Sequence, residues 1–297
     1  VAVVAVALAG CSTSPSTASA GSAAAKVINV VAAENFWGSL AEQLGGGHVK
    51  VTSIINNPDA DPHDYEPTAA DGRAIAAAQV AIINGVGYDT WATKLADANP
   101  SAARTTLTVG DLAGAKAGDN PHRWYNPGNV RQVIDQITAD FKKADPADAA
   151  FFDSQRTTVL NTNLKAYFDL IGQIKTGYAG TPVGASESIF AMISPALGLD
   201  LRTPSGFLTA ISEGSDPTAT DKATIDRQIK NKQIKVYVYN SQNATPDVQA
   251  QVTEARAAGI PVTTITETMT PAGASFQDWQ VTQLTALKQA LAQATGK

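Results

Sequence analysis

Four residues of this chain have the types and the placing to hold one metal ion. His63 lies in "DPHDYEPTAAD", after a β-type run ending at Ile55, and His122 lies in "NPHRWYNP", after a run ending at Val109. Glu187 comes directly after "PVGAS", and Glu267 directly after "TTIT". Two imidazoles and two carboxylates make a mixed nitrogen and oxygen set suited to one first-row divalent cation. With a metal-bound water, Glu187 or Glu267 would be the general base of a metallohydrolase, which is the enzyme alternative. Taken singly, a loop histidine is most often a surface or capping residue, and a loop glutamate a solvated one. What groups these four is that each follows the carboxyl end of a strand, where open α/β sheets collect their ligands. The third histidine, His48 in "GGGHVKV", precedes a strand and reads as structural.

The elements that must position them are short runs rich in Val, Ile and Thr. The first set is 27–33, 49–55, 80–84 and 104–109; the second is 181–186, a weaker 199–202, 234–240 and 261–266. Helix-length segments separate them, the pattern of βα units around a largely parallel sheet. The expected fold is therefore α/β, with two Rossmann-like lobes and the metal site in the cleft between them. Asn126-Pro127, Asp145-Pro146 and Thr245-Pro246 each offer an N-cap followed by proline at the first helical position, and Gly259 stops the last of these helices. From Phe152 to Ile174 an apolar stripe recurs every three to four residues, predicting a connecting helix of roughly 45 Å over 146–177. A pair of helices breaking near Asn161 to Asn163 is the alternative. The lobes then span 26–145 and 178–297.

The start of the chain reads differently. "VAVVAVALAGC" is an apolar run too short to span a bilayer and fits the core of a signal peptide, here 1–10. Its "LAGC" resembles the lipobox of bacterial lipoproteins, which makes Cys11 the expected lipidation site and 11–25, rich in Ser, Thr and Ala, a tether to the membrane. Cys11 is the single cysteine, so intramolecular disulfides and Cys-ligated zinc are excluded. A net charge of −5 without a basic run gives no footprint for nucleic acid.

From Val27 to Leu291 the chain resembles the metal-binding solute-binding lipoproteins of bacterial zinc and manganese ABC transporters. "DPHDYEPTAAD" and "NPHRWYNP" look like that family's two histidine motifs, and "SESIFAMISPALGLDL" like its third-ligand segment, where members carry histidine or glutamate. "TITETM" is similar to the stretch holding the fourth ligand, usually aspartate, whose place Glu267 takes here. The resemblance implies two lobes joined by one long rigid helix, with the metal ion as transported cargo and no reaction catalysed. The expected partners are a membrane permease and its cytoplasmic ATPase, and the protein itself is expected to be a monomer anchored outside the cytoplasmic membrane. A ligand set of two histidines, a glutamate and a carboxylate leans towards manganese or iron in that family, with some zinc members, and the chain lacks a long histidine-rich loop. Siderophore, haem or cobalamin binding in a related cleft is the other alternative, with Trp124, Tyr125 and Trp91 as candidate platforms.

Overall fold

The computed structural model describes residues 1–4, 27–58, 60, 62–63 and 65–297. Residues 5–10 of the expected leader, and the whole tether with Cys11, lie outside the described residues. Among the described residues no helix is long and apolar enough to cross a membrane.

The first lobe runs β1 (Ile28–Glu34), α1 (Asn35–Gly45), β2 (Val49–Ile55), α2 (Ala69–Ala77), β3 (Val80–Ile83), α3 (Thr90–Ala98), β4 (Thr105–Thr108), a short α4 (Val109–Leu112) and α5 (Pro127–Ala144). Two helices follow, α6 (Ala149–Thr158) and α7 (Lys165–Tyr178). The second lobe runs β5 (Pro182–Ala185), α8 (Ser188–Leu197), β6 (Asp200–Leu201), α9 (Ser205–Ser212), α10 (Ala219–Lys230), β7 (Val236–Asn240), α11 (Pro246–Ala257), β8 (Val262–Ile265) and α12 (Phe276–Thr295). All eight expected strands form.

Both sheets are wholly parallel and share one order: β2-β1-β3-β4 and β6-β5-β7-β8. The inner strand β3 is buried along its whole length, as a continuous apolar run covered on both faces must be, whereas the edge strand β2 exposes Lys50 and Thr52. In each sheet the order reverses between the first and third strands, which opens a crevice at their carboxyl ends.

The connector departs from the single α-helix expected. Asp145 makes no side-chain cap, Pro146–Asp148 is a 3-10 turn, and a π-helical segment, Val159–Asn163, separates α6 from α7. The irregularity falls on Asn161, Thr162 and Asn163, which are poor helix formers. Its reason is tertiary: Asn163 donates from Nδ2 to Gln43 Oε1 on α1 (2.9 Å), and Gln43 also bonds Gln277 on α12. The two other proline caps form as expected, with Asn126 accepting from Gly128 and Asn129, and Thr245 from Val248.

One apolar core passes through both lobes. It includes Ile28 and Val80 of the first sheet, Phe152 and Ile174 of the connector, and Val183 and Val236 of the second sheet. Each sheet covers its other face with a smaller cluster of its own. Joined in this way, the lobes tilt against one another only by disturbing a close-packed interior.

Candidate metal centre

Three of the four expected residues converge. His63 Nε2 and His122 Nε2 each lie 3.7 Å from the same atom, Glu267 Oε1. The histidines come from the loops after β2 and β4, and the glutamate from the loop after β8, so the cluster joins the two lobes. One donor atom from each of the three lies within 4.8 Å of the others.

The opening motif positions His63 residue by residue. Pro62 is buried, and its carbonyl accepts from Trp91 Nε1 (3.1 Å). Tyr65 packs on Trp91 with ring centroids 4.8 Å apart and donates to Asp71 Oδ2 (3.0 Å). Asp71 and Thr68 form the capping box that starts α2. His63 itself, partly exposed, sets its ring edge-on to Tyr88 at 4.8 Å.

His122 is fully buried and its tautomer is fixed. Asn120 Nδ2 donates to the Ser188 carbonyl (2.6 Å), which turns Asn120 Oδ1 towards His122, where it accepts from the backbone N–H (3.1 Å) and faces Nδ1 (2.8 Å). With the proton on Nδ1, Nε2 presents its lone pair towards Glu267, the arrangement of a metal-ligating histidine. Asn84 holds the segment from below, taking Trp37 Nε1–H at Oδ1 and donating from Nδ2 to the Pro121 carbonyl (2.9 Å). Burial lowers the His122 pKa, partly opposed by Glu267, so the ring is neutral to lower pH than an exposed histidine.

Burial alone would raise the Glu267 carboxyl, but His122, His63 and the Tyr88 hydroxyl hold it below its ordinary value. Its backbone is pinned as well. Tyr125 donates from its hydroxyl to the carbonyl of Thr266 (2.6 Å), and Trp279 Nε1 donates to Thr266 Oγ1 (2.7 Å).

Glu187 stands outside the three-residue cluster. It is the buried N-cap residue of α8, and its Oε2 accepts from Asn240 Nδ2 (3.0 Å). His48 pairs with Asp148 (2.7 Å) and sets its ring, tilted by 37°, 4.2 Å from that of Phe151. Asp145 lies within reach of that pair. Of the candidate aromatic platforms, Trp124 and Tyr125 are fully buried in the core, and Trp91 is mostly buried, its indole N–H held by the Pro62 carbonyl.

The supporting amides were not assigned from sequence. Asn84 and Asn240 both lie two residues beyond a paired strand position, Ile82 on β3 and Val238 on β7, and both are fully buried. The shared strand ending "VAIIN" and "VYVYN" is the signal that could have found them.

Residues 30–290 match the family model described as zinc-uptake complex component A, periplasmic. The chain is 24% identical over 228 residues to the manganese-binding lipoprotein MntA of Halalkalibacterium halodurans, covering 63% of this chain and 76% of that one. It is also 24% identical over 275 residues to the zinc-binding lipoprotein AdcA of Streptococcus pneumoniae, covering 84% of this chain and 52% of that protein, so it spans about half of that relative. Among solved structures, a manganese-bound periplasmic metal-binding protein from Candidatus Liberibacter asiaticus has the same fold, with a TM-score of 0.74 at 19% identity over 90% of this chain and 99% of that one.

Proposed function

Because the chain belongs to the zinc-uptake complex component A, periplasmic, family, we propose that it captures one divalent transition metal ion, zinc or manganese, and delivers it to the permease of an ABC importer. The observation that carries this reading is the approach of His63 and His122 to a single carboxylate oxygen of Glu267 from the opposite lobe. Two imidazoles and a carboxylate brought to one point by the packed fold form a site whose ordering cost is largely met by that fold.

Glu187 completes the set as a fourth ligand in this proposal, reaching the ion by a change of side-chain rotamer. Such changes at a binding site are common while the backbone stays in place. Both metals fit a donor set of this kind, and zinc is expected to bind more tightly than manganese because of the general order of divalent affinities. The ion is cargo, so no turnover is expected with generic esters or phosphates. The proposal places the protein outside the cytoplasmic membrane, anchored through Cys11, working as a monomer with a permease and its ATPase. The relatives named manganese- and zinc-binding lipoproteins support this placement.

Native mass spectrometry of the metal-stripped protein from Lys26 onward, titrated with zinc and manganese in parallel, tests the reading. One ion per chain, lost in His63→Ala and in His122→Ala, is expected. Near-normal binding in either variant would sink the ligand set, and no stoichiometric binding by the parent would sink the function.

A further inference from the structure

Gln242 lies two residues beyond the end of β7, and both polar atoms of its side chain are engaged. Its Oε1 accepts from the backbone N–H groups of Glu267 (2.8 Å) and Thr268 (3.0 Å). Those two donors fix the orientation of the amide, since the reverse would set its NH2 group against two N–H groups. Its Nε2 is thereby directed across the cleft to the carbonyl of Pro58 (2.9 Å), and is shared with Thr268 Oγ1 (2.8 Å) and Thr270 Oγ1 (3.1 Å). Thr268 Oγ1 in turn donates to the same Pro58 carbonyl (3.1 Å). Pro58 belongs to the segment that leaves β2 and leads to His63.

One amide is thus bonded to the peptide of Glu267 in one lobe and to the segment presenting His63 in the other. The network also runs inward. The Gln242 backbone N–H donates to Asn240 Oδ1 (2.9 Å), and Asn240 Nδ2 donates to Glu187. Glu267 and Glu187 are therefore tied to Gln242, one through its backbone N–H and the other through Asn240, and the segment leading to His63 is held at Pro58.

We propose that Gln242 is a positioning residue, a clasp that sets the His63 segment against Glu267 and slows the escape of bound metal from the cleft. The inference rests on the metal-binding reading of the same site. The Pro58 carbonyl takes two bonds from the second lobe, from Gln242 in the loop after β7 and from Thr268 in the loop after β8, so parting the loops after β2 and β8 breaks both.

The test is release of zinc to excess chelator, followed by stopped flow, from the parent protein, Gln242→Met and Thr268→Val. The methionine keeps the length of the side chain and removes its hydrogen bonds; the valine removes one cross-lobe bond and leaves the Gln242 support of Glu267 intact. Gln242→Met is expected to release zinc about tenfold faster or more, and Thr268→Val several-fold faster, the scale of one or two net hydrogen bonds. Both should still bind one ion per chain, with melting temperatures of the metal-free proteins lowered by no more than about a few degrees, since each change deletes hydrogen bonds. Release within about twofold of the parent in both variants overturns the clasp while leaving the metal site standing. If Gln242→Met folds poorly, the rate for Thr268→Val decides. A parent protein that binds no zinc overturns the underlying reading, and the clasp with it.

Discussion

Glu34 and Glu187 occupy the same place in the two lobes. Each lies two residues beyond a paired position on the first strand of its sheet, Ala32 on β1 and Ala185 on β5, and each is the buried N-cap residue of the helix that follows. Their neighbours differ. Glu187 accepts from the amide of Asn240, whereas Glu34 lies beside a second buried carboxyl, Asp89, whose oxygens accept from the N–H groups of Asn84 (2.7 Å) and Gly85 (2.8 Å). One glutamate thus faces an amide donor, while the other is buried next to an acid, which raises its pKa.

That difference gives a prediction about stability. Burial, and then the Asp89 carboxylate, raise the Glu34 pKa well above its ordinary value. The folded chain therefore keeps a proton that the unfolded chain releases above about pH 4.3, so stability is lost as pH rises from there through the folded pKa. Glu34→Gln removes the loss. Its melting temperature should exceed the parent's by an amount that grows between pH 5 and pH 8, reaching a few degrees. A constant difference across that range would show that Glu34 does not retain its proton.

Metal affinity should fall with acidification. His122 must be neutral to bind, and its pKa is lowered by burial, so protons begin to compete there only below about pH 6.5. Calorimetric titration with zinc should give a similar affinity at pH 7 and pH 8, and one weaker by about tenfold or more at pH 5. Full affinity at pH 5 would argue against histidine ligation.

The Asn120 amide should matter through the ring it orients. Asn120→Ala removes the nearer of two groups facing Nδ1 of His122, Ser188 Oγ remaining at 3.3 Å, and affinity should drop by about tenfold with the stoichiometry kept. A change below threefold would mean that Asn120 does not set the tautomer and that the Ser188 hydroxyl suffices to hold the ring.

Asn240→Leu should act at two levels. It deletes a buried partner of both Glu187 and the Gln242 N–H, at a cost of about 1–3 kcal/mol in chemical unfolding. It should also weaken zinc binding, and the added effect of Glu187→Gln in the same chain should be smaller than in the parent, because the two substitutions remove one interaction. Fully additive losses would separate Asn240 from the metal site.

Motion on binding should be slight. The core is continuous from β1 through the connector to β7, so metal is expected to change the radius of gyration by less than about 1 Å in solution scattering. A shift of several ångströms would require a hinge that the packed connector does not offer.

Much of this architecture was legible in the residues themselves. Strand runs such as 80–84 are apolar and β-branched because they are buried on both faces, and Asn126 and Thr245 act next to their own helices, so local chemistry suffices to find them. The connector was only partly legible. Its apolar stripe is genuine, but the π segment exists because Asn163 reaches Gln43 on a helix far away in the chain.

By itself, the sequence determined the two α/β lobes, the eight strands and the residue types at their carboxyl ends, since hydrophobic period and turn chemistry act over a few neighbouring residues. Only the tertiary structure decided which of those ends meet. It brings His63 and His122 to one oxygen of Glu267, leaves Glu187 on Asn240, and sets Gln242 across the cleft to Pro58. An amide or carboxylate bonds whatever the packed core carries to within about 3 Å of it, and that distance is fixed by segments far apart in the chain.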